Sequence, residues 1–524
     1  MSHFNSVQEE VLSLNGASID LRSVWAVAAK KATVKLAQVS VDKMKASRGY
    51  IEGRLSKGDV IYGVNTGFGA FSEVKISDKD IVQLQKNLIR SHSVGIGRSF
   101  DPTYVRAIMY LRANALARGH SGIRVEVVEK IIEFINNDII PVIPKQGSVG
   151  ASGDLAPLSH LALALIGEGE VWKDPDAEHL VKVHVSEKLK EKNIEPLELQ
   201  AKEGLSLING CQVMTAVGLL NTYEATRLLW MLDLAGAMSL EALRGSRSAF
   251  DPIITNTRPH IGEAMTARNI LKLLGEESDI SKSHANCSEV QDAYSLRCMP
   301  AVHGAAKDAL RNSLSVLEIE ANSSTDNPLV FCNENKILSC GNFHGEPVAF
   351  ALDFLCIAMS ASASISECRI EKLINKNMSG LPAFLAPNGG LNSGMMIVQV
   401  AAASLVSENK ILSHPASVDS IPTSADKEDH VSMGTIAARK LGKIVRNAEN
   451  IVAMELLCAS QALGILEPMN SSAAVKAAYD VIRKHVPFAN EDRVFQKDIE
   501  KIKELIRDHS LLNAVKDSVG DLEW

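Results

Sequence analysis

The chain lacks the cysteine patterning that marks metal-binding or disulfide-linked proteins. Its eight cysteines are scattered, with no CxxC pair and no Cys/His cluster at metal-ligand spacing. Cys356 and Cys458 lie within apolar helical runs, where a small buried thiol is the simplest interpretation. We therefore expect neither a metal site nor a disulfide framework.

An excess of basic residues is also missing. The formal net charge is −7 over 524 residues. Proteins that bind nucleic acids or anionic membranes neutralise phosphate groups with lysine and arginine. Because this chain offers little electrostatic support for either partner, we expect a small-molecule substrate and no nucleic acid.

The sequence has no recognisable signal for secretion or membrane insertion. Residues 1–5 contain no basic segment followed by an apolar one. The most apolar stretch, Pro347–Ser366, is interrupted by Asp353 and filled with alanine and serine. This composition is more typical of a buried helix than of a membrane span, which needs about 20 apolar residues. The expectations are no membrane association and a cytoplasmic location.

What the chain does have is the composition of a folded protein with a large core, 46% hydrophobic and 22% charged. Long helical patterns are predicted at about 205–243, 302–320, 346–374, 396–413 and 430–466. Several of them are apolar around most of the helix circumference, and such helices must be buried on all sides. We expect a mainly α fold built on a bundle of long helices, with association of subunits.

The N-terminal third is predicted to form a smaller cap domain. A short strand is expected at Val11–Leu14, a helix at Leu21–Ala37, and two further helices at about 101–118 and 127–135. The charged stretch Lys173–Lys192 is most simply a solvated surface segment. We therefore place the domain boundary near residue 200, with an N-terminal domain at 1–200 and a helical region at 201–524.

The loop Gly147–His160 (GSVGASGDLAPLSH) is where we expect chemistry. It contains no GxxxxGK[ST], which excludes a phosphate-binding P-loop, and no GxSxG, which excludes a hydrolase nucleophile elbow. The amide nitrogen of Gly153 is free to reach the carbonyl of Ala151, because glycine tolerates strained dihedrals. If that bond closed and two waters left, Ser152 would become a methylidene on a five-membered ring, an electrophile that no ordinary side chain supplies.

A simpler interpretation of the same tripeptide is a flexible helix-entry loop with Asp154 as the helix cap. The whole Gly147–His160 string favours ring formation over this simpler interpretation, because it resembles the signature of the aromatic amino-acid ammonia-lyases and aminomutases. The resemblance continues, in the family's order, through Tyr62–Gly69 (YGVNTGFG), Gly204–Gly210 (GLSLING), Val290–Cys298 (VQDAYSLRC), Asn322–Pro328 (NSSTDNP) and Gly341–His344 (GNFH). It covers about residues 10–510 and implies a fold of the fumarase/aspartase type.

The resemblance implies that Ala151, Ser152 and Gly153 cyclise without external help to 4-methylidene-imidazol-5-one (MIO), the only cofactor. The substrate amine then adds to the methylidene carbon of Ser152, and Tyr62 removes the β-proton as ammonia leaves. A tyrosine with an ordinary pKa of about 10 must be poised by its surroundings for this task. Its glycine-rich neighbours suggest a loop that closes over the substrate.

The family also implies roles for other residues. Arg297 can grip the substrate carboxylate with a bidentate fork, although alone it would be read as an ordinary ion-pair residue. The positions that match pocket-lining, ring-binding or proton-handling residues are Asn209, Gln291, Tyr294, Asn327 and Phe343. The resemblance further implies a homotetramer whose pockets draw residues from more than one subunit.

Two positions bear on the substrate. Ser91-His92 resembles the Ser-His pair of the family's histidine-specific members, although some tyrosine aminomutases share it. At Glu428 those members carry glutamate, whereas tyrosine and phenylalanine enzymes typically carry glutamine. A carboxylate can accept a hydrogen bond from an imidazole N–H, whereas facing a phenyl ring it would be buried without a partner. Glu428 could equally be a helix-entry acid stabilised by the helix dipole.

Small departures from the family stand at Cys211, where threonine is frequent, and at Met395, where an aromatic residue is frequent. We expect L-histidine to be converted to trans-urocanate and ammonia, the first step of histidine degradation. The alternatives are a tyrosine or phenylalanine ammonia-lyase or aminomutase with the same ring, and an inactive helical scaffold. A hydrolytic or metal-dependent activity is disfavoured, because neither a ligand cluster nor a nucleophile elbow is present.

Overall fold

The computed structural model describes residues 10–276, 278–285 and 290–523, so Cys287 and residues 1–9 lie outside the described residues. About 60% of the chain is helical, and the strands are few and short. The mainly α prediction is confirmed. Each sheet in the described part of the chain has two strands: the parallel pair β1–β2 and the antiparallel pairs β3–β4, β5–β6 and β7–β8.

The strands are β1 Glu10–Leu14, β2 Ala32–Leu36, β3 Ile96–Ser99, β4 Pro144–Gln146, β5 Glu170–Trp172, β6 Lys182–His184, β7 Leu329–Phe331 and β8 Lys336–Leu338. The helices of the first half are α1 Leu21–Ala28, α2 Gln38–Leu55, α3 Ile81–His92, α4 Pro102–Ala117, α5 Val125–Asn136, α6 Leu155–Leu165, α7 Val185–Lys192, α8 Glu203–Ile208, α9 Gln212–Ala242 and α10 Pro252–Thr257. Those of the second half are α11 Ile261–Leu274, α12 Asp279–Ser283, α13 Tyr294–Arg297, α14 Met299–Ala321, α15 Glu346–Ile374, α16 Lys376–Ser379, α17 Met396–Leu412, α18 Gly434–Ile465, α19 Ala473–His485, α20 Phe495–Arg507 and α21 Ser510–Val519.

The predicted long helices are present, with one informative break. The pattern at 205–243 is divided into α8 and α9 by the segment Asn209–Cys211. The other long patterns correspond to α14, α15, α17 and α18, the longest of which has 32 residues. In α5 the predicted face is buried, since Val127, Val128, Ile131, Ile132 and Ile135 are all core residues. The helical periodicity was therefore a sound guide to the long elements.

The predicted helix at Leu21–Ala37 is wrong in its second half. The first turn is fixed by Asp20, whose side chain accepts from the backbone N–H of Ser23, and α1 ends at Ala28. Lys30 then has a φ of 58°, which ends the helix. Ala32–Leu36 pairs in parallel with Glu10–Leu14 as β2. Its apolar residues alternate with Thr33 and Lys35, the two-residue period of a strand.

The chain forms two compact units. The first unit comprises residues 1–223, 313–353 and 415–439, and the second unit comprises residues 224–312, 354–414 and 440–524. The predicted N-terminal domain at 1–200 falls within the first unit, while its boundary near residue 200 stays a prediction. The first unit contains the loop Gly147–His160, and its core includes the buried faces of α4, α5 and α6.

One described helix, α15, is long and apolar enough to cross a membrane by length and composition alone. In its most apolar window 61% of the residues are buried inside the protein. A core helix passes the same test of length and composition, so this finding is weak support for a span.

Candidate active site

The loop that carries Ala151–Gly153 is anchored by a fully buried carboxylate. One oxygen of Asp154 accepts hydrogen bonds from the backbone N–H groups of Val213 and Met214, at 2.9 Å each, in the first turn of α9. The other accepts from the hydroxyls of Ser148 and Thr435. Burial raises the pKa of Asp154, and these four donors oppose that shift. The loop is thereby tied to the start of a long helix.

The tripeptide itself is held in a tight cradle. Ala151 packs in a small apolar cluster with Val431 and Met433. Gly153 has a φ of 74°, in the left-handed region that favours glycine. A Cβ atom at this position would collide with the backbone carbonyl of Gly210. Only glycine fits at position 153 without displacing its neighbour.

Asn209 contacts the same tripeptide from the break between α8 and α9. Its Nδ2 donates to the carbonyl oxygen of Ser152 at 2.9 Å. The side chain is buried, and within the described chain its Oδ1 has no hydrogen-bond partner. A backbone bridge between Gly153 and Gly210 runs alongside this contact. The Asn209 amide nitrogen is therefore held against the Ser152 carbonyl, while its amide oxygen is left to accept a further hydrogen bond.

Glu428 reaches Ser152 from a distant part of the sequence. Its Oε1 accepts from the Ser152 hydroxyl at 2.6 Å, and its Oε2 accepts from the hydroxyl of Thr423 at 2.7 Å. Glu428 is the residue predicted to bind the substrate ring, and it lies against Ser152 rather than in the first turn of α18, which begins at Gly434.

His92 ends α3 and lies in the electrostatic neighbourhood of Glu428. Its Nδ1 lies 3.0 Å from the Ser91 hydroxyl. Burial lowers the pKa of His92, and a hydrogen bond to the Leu88 backbone and the charge of Glu428 partly oppose this shift. The imidazole is therefore held in its neutral form, which can both donate and accept a hydrogen bond.

Tyr62 lies in the loop that follows α2. Its phenol oxygen accepts from the backbone N–H of Gly69 at 3.3 Å, so the loop Tyr62–Gly69 closes on itself. Gly63 has a φ of 69°, and a Cβ atom there would collide with the Leu205 side chain. This glycine is thus required by both conformation and space.

Asn327 and Phe343 also belong to the first unit, and one hydrogen bond holds each of them. The Asn327 Oδ1 accepts from the backbone N–H of Cys340 at 2.8 Å. The thiol of Cys211 donates to the Phe343 carbonyl at 3.0 Å. Cys211, a noted departure from the family pattern, therefore supports the segment that carries a predicted pocket residue.

Gln291, Tyr294 and Arg297 belong to the second unit. The Arg297 Nε donates to the Asp292 carbonyl at 3.0 Å, and its guanidinium carbon lies 4.5 Å from the centre of the Tyr294 ring. Tyr294 is 71% exposed, and Gln291 is also exposed. This stacked pair orients the guanidinium by a cation–π contact.

Sequence reasoning missed the supporting residues of the site. Asp154 was considered only as a cap for α6, but its side chain makes no bond to that helix and instead binds α9. Thr435 and the buried Arg112 were not singled out at all. The Arg112–Gln212 and Thr435–Asp154 contacts join positions a hundred or more residues apart, and no local pattern reveals them.

A search for groups of three or more His, Cys, Asp or Glu side chains that could hold a metal ion finds none among residues 10–276, 278–285 and 290–523.

Comparison with known proteins shows which family the chain belongs to. A family model described as aromatic amino acid lyase matches residues 19–484. The chain belongs to the aromatic amino acid lyase family. Membership in this family confirms the resemblance that the sequence motifs indicated.

Individual members of the aromatic amino acid lyase family match over nearly the whole chain. The histidine ammonia-lyase of Sorangium cellulosum is 49% identical over 522 residues, covering 97% of this chain and all of that protein. The solved structure of histidine ammonia-lyase from Trypanosoma cruzi is 42% identical with a TM-score of 0.90, covering 97% of this chain and 96% of that one. A tyrosine aminomutase from Streptomyces globisporus is 38% identical with a TM-score of 0.92, covering 98% and 100%. The long-helix fold is thereby confirmed.

Proposed function

We propose that this protein removes ammonia from L-histidine by a non-oxidative elimination that yields trans-urocanate. The observation that carries the proposal is the carboxylate of Glu428, 2.6 Å from the Ser152 hydroxyl. Near full-length identity of 49% to a protein named histidine ammonia-lyase supports the same substrate. A carboxylate at the reactive tripeptide suits an imidazole N–H and would be unpartnered against a phenyl ring.

We infer that Ala151–Ser152–Gly153 forms the MIO ring, and the residues present fit that group. Gly153 has the open conformation and the lack of a Cβ that ring closure requires. The amide of Asn209 donates to the Ser152 carbonyl, and its buried Oδ1 has a free acceptor site among the described residues. Once formed, the group supplies an electrophilic carbon that can hold the substrate amine. No external cofactor is needed.

Ring formation also changes the surroundings of Glu428. Its Oε1 is bonded to the Ser152 hydroxyl, which is lost as water when the ring forms. That oxygen then becomes available to a substrate N–H, while Thr423 continues to hold the other oxygen. His92, kept neutral by burial, can provide the second polar contact to the imidazole. Glu428 and His92 are thus the residues that we propose to hydrogen-bond the imidazole ring of the substrate.

The proton chemistry is assigned to Tyr62. The backbone N–H of Gly69 donates to the phenol oxygen at 3.3 Å and holds that oxygen in place. The oxygen held this way is the proposed acceptor of the proton that leaves the β-carbon as ammonia departs. The Asn209 amide, 2.9 Å from the Ser152 carbonyl oxygen, stabilises negative charge that develops on that oxygen.

Arg297 is proposed to bind the substrate carboxylate with its planar fork, while Tyr294 contributes to proton handling near the amine. Gln291, Asn327 and Phe343 are proposed to line the pocket.

We further propose a homotetramer in which sites are shared between subunits. On α17 of the second unit the large apolar residues Ile397, Val400 and Ile411 are exposed, a pattern typical of a surface that a second copy covers.

The proposal is tested by following product formation from L-histidine, L-tyrosine and L-phenylalanine with the purified protein. Urocanate and ammonia in equal amounts from histidine alone are expected, and Ser152→Ala should abolish both. An arylacrylate or a β-amino acid from tyrosine or phenylalanine would overturn the assigned substrate and favour a lyase or aminomutase of another specificity. If none of the three amino acids gives a product, an inactive helical scaffold would be favoured.

A further inference from the structure

Arg112 is a charged side chain buried without a charged hydrogen-bond partner. It lies near the middle of α4 and is fully inaccessible to solvent. Its Nη2 donates to the backbone carbonyl of Ser206, and its Nη1 donates to the side-chain oxygen of Gln212. Burial lowers the pKa of Arg112 to about 10, so the guanidinium remains charged at neutral pH. Burying a charge is unfavourable, so we expect a role that requires this guanidinium.

The buried carboxylate of Asp326, whose charge interacts with Arg112, does not explain why Arg112 is buried. Asp326 is already satisfied by the Lys202 ammonium at 2.9 Å and by the Ser206 hydroxyl at 3.0 Å. Lys202 and Asp326 are themselves almost completely buried as an ion pair. The guanidinium is therefore not needed to neutralise this carboxylate.

What Arg112 joins is the two helix ends that flank Asn209–Cys211. Ser206 lies in the last turn of α8, where carbonyl groups lose their helical partners. Gln212 is the first residue of α9. A single side chain from α4 thus connects the end of one helix to the beginning of the next, across the break that carries Asn209.

The packing behind this break is tight. Gly210 has a φ of 152°, and a Cβ atom there would collide with the Arg112 Nη1, the Gln212 side chain and the Thr325 carbonyl. On its other side Gly210 forms the bridge to Gly153, and its carbonyl accepts from the Asp154 N–H at 2.7 Å. The guanidinium is therefore one backbone layer away from the ring-forming tripeptide.

We propose that Arg112 is a positioning residue for the reaction, acting through Asn209 and Gly210. By bridging Ser206 and Gln212 it keeps the Asn209 amide aimed at the Ser152 carbonyl and keeps Gly210 pressed against Gly153. Both ring closure and later stabilisation of charge on the Ser152 carbonyl depend on that alignment. This inference rests on the proposed function, because it assumes that the tripeptide cyclises.

The variants that test it are Arg112→Met, which keeps the length of the side chain but removes every donor, and Arg112→Lys, which keeps the charge but not the bridging fork. Arg106→Met is the matched control. Arg106 lies on the same helix and is 4% exposed, but it pairs with Asp138 and Asp176, away from the break.

Two readouts separate positioning from general stability. Intact mass gives the fraction of chains that have lost two waters, and steady-state kinetics on the cyclised fraction give kcat and KM separately. We expect full cyclisation in the wild type and in Arg106→Met. Arg112→Met should be largely uncyclised, Arg112→Lys intermediate, and the remaining cyclised enzyme should show kcat lowered by about tenfold or more at a nearly unchanged KM.

Folded Arg112→Met with complete cyclisation and wild-type kcat would overturn the inference while leaving the proposed function intact. A wild-type chain of unmodified mass would instead overturn both. If Arg112→Met does not fold, Gln212→Leu decides, because it removes the link from Arg112 to α9 and leaves the Ser206 contact in place. Thr325→Val, which removes the other hydrogen bond of the Gln212 side chain, is its control and should keep wild-type values. Slower cyclisation with lowered kcat is expected for Gln212→Leu, and wild-type values for both would contradict the role assigned to Arg112.

Discussion

The buried charged side chains next to Ala151–Gly153 in the first unit are held differently from the buried Arg369–Glu455 pair of the second unit. In the second unit the Arg369 guanidinium and the Glu455 carboxylate are both fully buried and are bonded to each other, with an Nε–Oε1 distance of 2.5 Å. In the first unit the buried Asp154 is held by backbone N–H groups and hydroxyls, and the buried Arg112 by a carbonyl and an amide.

A histidine completes the buried network of the second unit. The Nδ1 of His303 lies 2.9 Å from Asp233, and its Nε2 lies 3.2 Å from the Arg369 guanidinium. Lys307 bonds the other oxygen of Asp233. The geometry fits a neutral imidazole that donates from Nδ1 and accepts at Nε2.

Charge pairing of this kind also occurs in the first unit, between Lys202 and Asp326. Asp154 and Arg112 differ from both pairs, because uncharged groups hold them beside the loop that carries Ala151–Gly153.

The largest effect should come from Gly153→Ala in the first unit. The new methyl group would collide with the Gly210 carbonyl at a φ of 74°, so the ring should fail to form and activity on L-histidine should disappear. Intact mass and a urocanate assay measure both. Gly53→Ala, in α2 with open space at its Cβ position, is the control that should retain both. Ring formation in Gly153→Ala would show that the cradle is not required.

The opposite result is expected for Arg369→Met in the second unit. Removing one partner leaves Glu455 charged and buried, which costs about 3–5 kcal/mol of unfolding free energy. Ring formation in the first unit should be unaffected. Denaturant unfolding together with intact mass tests this, and Lys501→Met, which breaks the exposed pair with Glu504, should cost less than about 1 kcal/mol. Loss of the ring at unchanged stability would contradict both expectations.

The pH dependence of stability sharpens the same comparison. Burial lowers the pKa of His303 from 6.5 to about 4. As the pH falls below 6.5 the unfolded chain gains a proton that the folded chain does not accept until about pH 4. Stability is therefore full above pH 6.5 and declines by about 3 kcal/mol toward pH 4. Denaturation curves of the wild type and His303→Gln across this range measure the difference, and parallel pH profiles would contradict a neutral, buried His303.

The smallest effect concerns Glu428→Gln. Glutamine can still accept from the Ser152 hydroxyl, so ring formation should be retained. Replacing a charged acceptor by a neutral one weakens the hydrogen bond to the substrate imidazole by about 1–1.5 kcal/mol, which lowers kcat/KM for L-histidine by roughly five- to tenfold. Kinetics with histidine, tyrosine and phenylalanine test this. An unchanged value for histidine would remove Glu428 from substrate recognition.

The long helices could be predicted from the sequence because their signals are local. Apolar periodicity identified α9, α14, α15 and α18, and the Gly147–His160 string indicated the chemistry. The helix predicted through Ala37 was wrong because pairing with β1 selects a strand at Ala32–Leu36. Propensity in a short segment is readily overridden by such a tertiary contact.

The supporting shell of the site could not be predicted, because it depends on contacts between distant positions. Arg112 lies in a largely apolar helix, and no pattern in the sequence around it predicts a hydrogen bond to Gln212, a hundred residues away. Thr435 meets Asp154 across an even longer separation. The sequence motifs predict which atoms react, and folding determines which side chains hold them.

The most direct test of the central claim is the mass of the wild-type protein, followed by peptide mapping. The account predicts a chain lighter by two waters, with the deficit confined to the peptide that contains Ala151–Gly153 and absent from Ser152→Ala. A chain of full, unmodified mass that still releases urocanate and ammonia from L-histidine would contradict it.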